Sequence, residues 1–323
     1  MRAAAYSVKP FEKDYLLQAN GGKHDLKLIS DKLDLKTAYL ASGYDAVLVF
    51  TNDDLSRDVI DKLAAESVKY ISTRSTGTDH IDKEEAGIKG LQVANIPSYS
   101  PQAIAELAVA LAFGLNRQLI KANRHSHDFD FRNDGLIGFN FSGKTVGLIG
   151  LGSIGLAASR IFHGLGCKIV GYDLFFPETE HNVTSVSLDE LLETADVISL
   201  HVPLTPSTKY LVSKERLEKM KTGVMLINTS RGAVINTLDV LDALEKGKIG
   251  YLGLDVYEHE KGLFFEDHEF DTVKDSLLEK LLNHPNVLIT PHQGYLTKEA
   301  LQEIAHHTIA NLDGWELVST SEK

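Results

Sequence analysis

Short runs of β-branched and apolar residues recur along the chain, and between them apolar residues return every three or four positions. In the first hundred residues the runs at 2–8, 26–29, 46–50, 69–72 and 91–95 predict strands, with helical spacing at 55–65 and 82–87. A second series lies at 145–150, 168–173, 196–202, 223–228, 251–256 and 287–290, with helical spacing at 188–194, 238–246 and 276–282. Strands alternating with helices predict βαβ units and parallel sheets, an α/β architecture.

The two series meet at Ile96-Pro97-Ser98-Tyr99-Ser100-Pro101, where Ser100 is suited to cap a helix and Pro101 to open it. The segment 103–115 is apolar on nearly every face except at Glu106, the pattern of a helix buried within the chain or between subunits. The segment 298–318 reads as a helix with no strand of its own, expected to cross back to the first domain. The expected domains are therefore 1–100 with 297–323, and 101–296.

A chain of 323 residues with 43% hydrophobic residues can fill two domain cores. The net charge of −12 argues against a binder of nucleic-acid backbones, although one local arginine can still hold an anion. The single cysteine, Cys167, excludes an intrachain disulfide and a thiolate zinc cluster, and is expected to be a buried, inert thiol in a reducing compartment. The first residues lack the apolar core of a signal peptide, and the longest uncharged stretch, 145–159, is too short to span a bilayer. A cytoplasmic protein without a membrane or nucleic-acid partner is expected. His306-His307 and His125-Ser126-His127 lack the acids or thiolates of a metal site, so no metal is expected.

The sharpest motif is Gly150-Leu151-Gly152-Ser153-Ile154-Gly155, a G-x-G-x-x-G that follows a strand and opens an alanine-rich helix. Asp173 ends the next strand, 18 positions after Gly155. Gly150 suits a tight turn, Gly152 lets a pyrophosphate approach the backbone, and Gly155 lets helix and strand pack closely. Asp173 suits the ribose hydroxyls and repels a 2′-phosphate, and the run Leu174-Phe175-Phe176-Pro177 offers no arginine, so NAD is expected over NADP. Because this motif comes late, the substrate domain is expected to lie first in the chain.

Ligands of an open parallel sheet bind beyond the carboxyl ends of its strands. There the sequence places Arg231, then Asp255 with Glu258, Glu260 and Glu266, and then His292. An arginine can grip a carboxylate, and a histidine beside a carboxylate can pass a proton to a ketone oxygen. Together they describe a reductase of 2-keto acids. Position alone leaves the choice among the three glutamates open.

With these residues in place, the chain resembles the D-isomer-specific 2-hydroxyacid dehydrogenase family over essentially its full length, and within it the fermentative D-lactate dehydrogenases. The resemblance rests on the dinucleotide motif with Asp173, on Asn228-Thr229-Ser230-Arg231-Gly232-Ala233, on Gly253-Leu254-Asp255-Val256-Tyr257-Glu258 with Glu260 beyond, and on Thr290-Pro291-His292-Gln293. The runs Lys261-Gly262-Leu263-Phe264-Phe265-Glu266-Asp267 and 95–101 are also similar to the lactate branch. It implies two doubly wound parallel-sheet domains, a Rossmann coenzyme domain inserted into a discontinuous flavodoxin-like substrate domain. It implies reversible NADH-dependent reduction of pyruvate to D-lactate, with a bulkier 2-keto acid such as 2-ketoisocaproate or phenylpyruvate as the alternative. By resemblance His292 is the acid/base, Glu260 its partner and Arg231 the substrate-carboxylate ligand. Coenzyme contacts map to Gly150, Gly152, Ser153, Ile154, Gly155, Asp173, Val202, Pro203, Thr208, Thr229, Ser230, Arg231 and Asp255, and substrate contacts to Phe50, Thr76, Gly77, Tyr99, Arg231 and Tyr295. His80 departs from the asparagine frequent in the family. A homo-oligomer, dimer or tetramer, is expected.

Overall fold

The computed structural model describes residues 1–176, 182–271 and 274–321. Pro177 of the run after Asp173 lies outside the described residues. The chain divides into two compact units, Met1–Ser100 with Tyr295–Lys323, and Pro101–Gly294. The return to the first unit falls at Tyr295, two residues before the 297 read from the sequence. The reason is a buried aromatic contact: the Tyr295 ring packs on Phe50, with centroids 5.4 Å apart.

The first unit carries strands β1 (Arg2–Ala5), β2 (Asp25–Leu28), β3 (Ala46–Val49), β4 (Tyr70–Thr73) and β5 (Gln92–Ala94). They pair in parallel in the order β2-β1-β3-β4-β5, the flavodoxin-like order. The central β3 is buried along its whole length because both faces of the sheet are covered, so its sequence shows no polar alternation. Val47 and Val49 pack with Val59, Ile60 and Leu63 of the helix Arg57–Ala65. Ala46 and Leu48 pack with Leu16 of the helix Pro10–Asn20 and with Ala305, Ile309 and Leu312 of the final helix, Lys298–Ser321. Trp315 of that helix stacks on Tyr70 at 4.8 Å. The carboxyl-terminal helix is thus structural cladding for a sheet built from the first hundred residues.

The helix Pro10–Asn20 has no clear apolar stripe, and the sequence pattern did not predict it. Its first turn is set by Glu12, whose Oε1 accepts the Lys9 N–H at 2.9 Å. The same carboxylate pairs with Arg74, which is 1% exposed. Arg74 Nε and Nη2 donate to Glu12 at 3.1 and 3.2 Å, while Nη1 and Nη2 donate to the carbonyls of Leu48 and Tyr6 at 3.0 and 2.8 Å. Helix, two strand ends and the residue after β4 are thereby joined through one guanidinium.

The second unit carries β6 (Thr145–Ile149), β7 (Lys168–Tyr172), β8 (Val183–Ser185), β9 (Val197–Leu200), β10 (Val224–Asn228), β11 (Ile249–Leu254) and β12 (Val287–Ile289). All pair in parallel in the order β12-β11-β10-β9-β6-β7-β8, the doubly wound Rossmann order extended by one strand. Direction reverses between β6 and β9, which makes a crevice at their carboxyl ends. The helix Pro101–Asn116 is covered within this unit: Ala105, Ala108, Leu111, Ala112 and Leu115 share a core with Val146, Leu148 and Phe162. Cys167 is buried in the same core, its thiol 3.3 Å from the Phe141 carbonyl, and burial pushes it up from the ordinary thiol range.

A buried pair that loses one partner leaves an unmatched charge. Glu12→Ala is expected to cost about 3–5 kcal/mol, read as a lower urea midpoint. The double substitution Glu12→Met with Arg74→Met is expected to recover much of that loss, since no charge is then left without its partner.

Candidate active site

The coenzyme edge begins where β6 and β9 run side by side, with Ile149 opposite Leu200. Gly150 follows β6 with φ +95°, and a Cβ there would lie 2.3 Å from the His201 carbonyl oxygen. Only glycine fits that turn. A Cβ on Gly155 would lie 2.0 Å from the Gly150 oxygen, so the helix Ser153–Gly164 sits hard against the turn. A Cβ on Gly152 would meet nothing within 4 Å, so the backbone there is open to an approaching group. Ser153 and Ile154 form the first turn of the helix, whose N-cap, Gly152, has no side chain to satisfy their N–H groups.

Asp173 follows β7, its Oδ2 accepting the Leu151 N–H at 2.6 Å and its Oδ1 the Phe175 N–H at 2.9 Å. Each oxygen keeps a lone pair for a ribose hydroxyl. Thr229, after β10, is buried, and its Oγ1 has no hydrogen-bond partner among the described residues. An orphaned hydroxyl on the same sheet edge as an open glycine turn and a helix start is what a bound dinucleotide would complete. Val202 reaches the Gly150 turn from β9. Thr208 is occupied locally: its Oγ1 donates to the Pro203 carbonyl at 2.5 Å and accepts the Thr205 N–H at 2.8 Å.

A second edge lies on the neighbouring strands, where Asn228, Leu254 and Ile289 stand in register at the ends of β10, β11 and β12. Asn228 is buried and ties the turn after it: its Oδ1 accepts from Ser230 N at 3.0 Å, and its Nδ2 donates to the Arg231 carbonyl at 2.9 Å. Arg231 Nη1 donates to the Ser230 carbonyl at 2.8 Å. A Cβ on Gly232 would lie 2.1 Å from the Tyr257 carbonyl, so this turn packs backbone to backbone on the segment after β11.

That segment resolves the choice among glutamates geometrically. Glu260 Oε1 lies 3.0 Å from His292 Nδ1, and its Oε2 accepts the Tyr257 N–H at 3.0 Å. Glu258 is engaged elsewhere, accepting from the Tyr210 hydroxyl at 2.6 Å and from Thr237 N at 3.0 Å. Glu266 is exposed. His292 and Glu260 side chains are 19% and 26% exposed, shielded but reachable.

Asp255 is 1% exposed, and its carboxylate holds the histidine turn. Oδ1 accepts from Thr290 Oγ1 at 2.6 Å and from Gln293 N at 2.8 Å, and Oδ2 accepts from Gly294 N at 2.8 Å. Burial pushes this carboxyl up from its ordinary range, against the pull of those donors. The resemblance assigns Asp255 to the coenzyme; its carboxylate also bonds the backbone around His292, whose φ of +53° is one that a residue with a Cβ adopts at a cost. Asn228, Asp255 and Thr290 were not singled out as supports. Their signal was faint: a polar residue ending an otherwise apolar strand.

In the first unit, Ser75, Thr76 and Gly77 follow Arg74. The Ser75 carbonyl accepts from Ile96 N at 3.0 Å, and the Thr76 carbonyl accepts from Asn95 Nδ2 at 2.8 Å. In a trans peptide the N–H points opposite the C=O, so the Thr76 and Gly77 N–H groups face away from these anchors. His80 Nε2 stands 3.4 Å from Thr73 Oγ1, behind the loop. Phe50 and Tyr295 are buried together, with Arg74 5.7 Å over the Phe50 ring, and Tyr99 is half-buried. Among the described residues, no three His, Cys, Asp or Glu side chains are grouped to hold a metal ion. Among the described residues, no single helix is long and apolar enough to cross a membrane.

Comparison with known proteins gives the family. A family model for the NAD binding domain of D-isomer specific 2-hydroxyacid dehydrogenases matches residues 109–294. The D-lactate dehydrogenase of Escherichia coli (strain K12) is 42% identical over 319 residues, 98% of this chain and 97% of its own. A solved structure of the pyruvate reductase of Chlamydomonas reinhardtii is 43% identical with a TM-score of 0.93, covering 98% of this chain and 96% of its own. The D-lactate dehydrogenase of Lactobacillus jensenii, solved with NAD+, is 36% identical with a TM-score of 0.80, covering 97% of both chains.

Two outcomes follow from the coenzyme edge. The Asp173 carboxylate is expected to lower kcat/KM with NADPH below that with NADH by on the order of 100-fold, and Asp173→Ala to narrow the gap. His201 is the second case: its Nε2 pairs with Ser199 Oγ at 2.9 Å, its Nδ1 is buried without a partner among the described residues, and burial pushes it down to about 4. An unfolded histidine titrates near 6.5, so the unfolded chain takes up this proton first. The stability contribution is fully present above about pH 6.5 and is lost as the pH falls toward 4, by on the order of 3 kcal/mol. His201→Asn is expected to lose less stability than the parent between pH 7 and pH 4 in urea unfolding.

Proposed function

Since the chain belongs to the D-isomer-specific 2-hydroxyacid dehydrogenase family, an NAD-dependent oxidoreductase family, we propose that its reaction is the reversible reduction of pyruvate to D-lactate with His292 as the acid/base. The observation that carries this reading is the 3.0 Å contact of His292 Nδ1 with Glu260 Oε1, beside the turn that holds Arg231. The coenzyme supplies the hydride that reduces the keto carbon.

The residues do the rest. With Nδ1–H donated to Glu260, His292 keeps Nε2 for the substrate oxygen, giving it a proton in reduction and taking one in oxidation. Glu260 fixes the ring and stabilises the imidazolium. Arg231 takes the substrate carboxylate through its guanidinium. The N–H groups of Thr76 and Gly77 are donors of the kind a carboxylate needs. The buried Phe50–Tyr295 pair, with Tyr99, is assigned to the substrate side chain. Gly150, Gly152, Ser153, Ile154, Gly155, Asp173, Val202, Pro203, Thr229 and Ser230 are assigned to the coenzyme, with Thr208 and Asp255 supporting through the turns they close.

The same reading takes the protein as a cytoplasmic homo-oligomer. Leu119, Ile120, Phe129, Phe131 and Ile137 support self-association, since these large apolar side chains stand exposed near one another in sequence. The lone buried Cys167 fits a reducing compartment.

A panel of 2-keto acids tests the activity. Pyruvate is expected to give the highest kcat/KM with NADH, and chiral chromatography to show D-lactate; a phenylpyruvate or 2-ketoisocaproate optimum would replace pyruvate as the substrate. His292→Ala is expected to lower kcat by roughly 100-fold or more with NADH binding retained. A loss below tenfold would remove His292 from the proton-donor role.

A further inference from the structure

The segment after Glu260 folds back on the histidine. Leu263 N and Phe264 N both donate to the Glu260 carbonyl, at 2.9 and 3.0 Å. Phe264 is buried, its ring stacked over Tyr257 at 6.5 Å. At Phe265 the backbone turns left-handed, with φ +69°. Its ring then lies over His292, with centroids 5.7 Å apart and planes tilted by 39°.

Phe264 is buried in the unit's core, and Phe265, partly buried against that core, also reaches the imidazole. Glycine adopts a φ of +69° freely, whereas a residue with a Cβ does so against steric resistance. A phenylalanine at this position keeps its conformation because its ring makes contacts that offset the strain. That ring packs against the unit's core and contacts His292, which is itself left-handed, at φ +53°. The imidazole is bonded to Glu260 through Nδ1 and contacted by the tilted Phe265 ring, two contacts that together oppose its rotation about χ2.

We propose that Phe265 is a positioning residue for proton transfer: its ring holds the His292 imidazole in the orientation that joins Nδ1 to Glu260 and leaves Nε2 for the substrate. This rests on the reading of His292 as the acid/base. The role is separate from substrate or coenzyme binding, because Phe265 acts through the histidine. It is also separate from backbone stability, because a glycine at 265 would relax the backbone while removing the ring.

The experiment compares Phe265→Gly, Phe265→Leu and Phe265→Tyr in the full-length enzyme, each alone and in the His292→Ala background, with NADH and the best substrate of the panel. Phe265→Gly and Phe265→Leu are expected to lower kcat by about tenfold or more, with the NADH dissociation constant within about twofold of the parent on the same argument. Phe265→Tyr keeps the ring and is expected to keep kcat. In the His292→Ala background, all three are expected to leave the residual rate unchanged, since the group they position is gone. Should Phe265→Gly not fold, the Leu and Tyr variants decide alone. Parent-like kcat in Phe265→Leu, an equal loss in Phe265→Tyr, or an undiminished loss in the His292→Ala background would overturn the proposal. If His292→Ala alone keeps its activity, the acid/base reading fails instead, and that outcome is distinct from a harmless Phe265→Leu beside an inactive His292→Ala.

Discussion

Parallel hydrogen bonding places Asn228, Leu254 and Ile289 side by side at one edge of the seven-stranded sheet. In an antiparallel sheet the same strands would deliver alternate ends to that edge, and Arg231, Glu260 and His292 would be scattered. The same constraint brings Gly150 beside His201, with Asp173 after the adjoining strand. Coenzyme edge and catalytic edge are therefore one rim, divided only by which strand a residue follows.

A rim made of turns needs holding, and here buried polar side chains hold it. Asn228 closes the arginine turn, and Asp255 with Thr290 closes the histidine turn. Glu260 is itself held by the Tyr257 N–H, and the Tyr257 hydroxyl donates to Asp275, which caps the helix Ser276–Asn283. In the first unit Arg74 and Glu12 play the corresponding part. A buried polar group without its partners is destabilising, so each of these groups strongly specifies the turn that satisfies it. Hydrophobic packing alone would give the strands and helices but would leave the turns free to adopt several geometries.

Two of the left-handed non-glycine residues lie where the chemistry is assigned. His292 and Phe265 both occupy left-handed backbone, and their rings face one another. Neither is a glycine, although glycine would fit the backbone better. The surrounding hydrogen bonds over-determine the histidine turn, which lets an unfavourable φ persist and keeps the imidazole beside Glu260.

How much of this could be read before folding depends on the range of the interaction involved. Local pattern determined the parallel strands other than Val183–Ser185, the glycine turn with its acid, and the identity of the arginine and histidine, because strand burial and close backbone approach leave their mark within a few neighbouring residues. Family resemblance was needed to prefer Glu260 over Glu258 and Glu266, since three acids within nine residues differ only in what they touch. The helix Pro10–Asn20 escaped the pattern because a buried Arg74–Glu12 pair and a partner helix from the chain's far end stabilise it, and periodicity cannot register either. The sequence by itself determined which chemical groups the protein owns and which sheet edge they reach. Only the tertiary structure decided that Glu260 is the carboxylate on His292, that Asp255 holds the turn rather than standing open, and that Phe265 covers the imidazole, because those assignments are distances between residues that the chain keeps tens of positions apart.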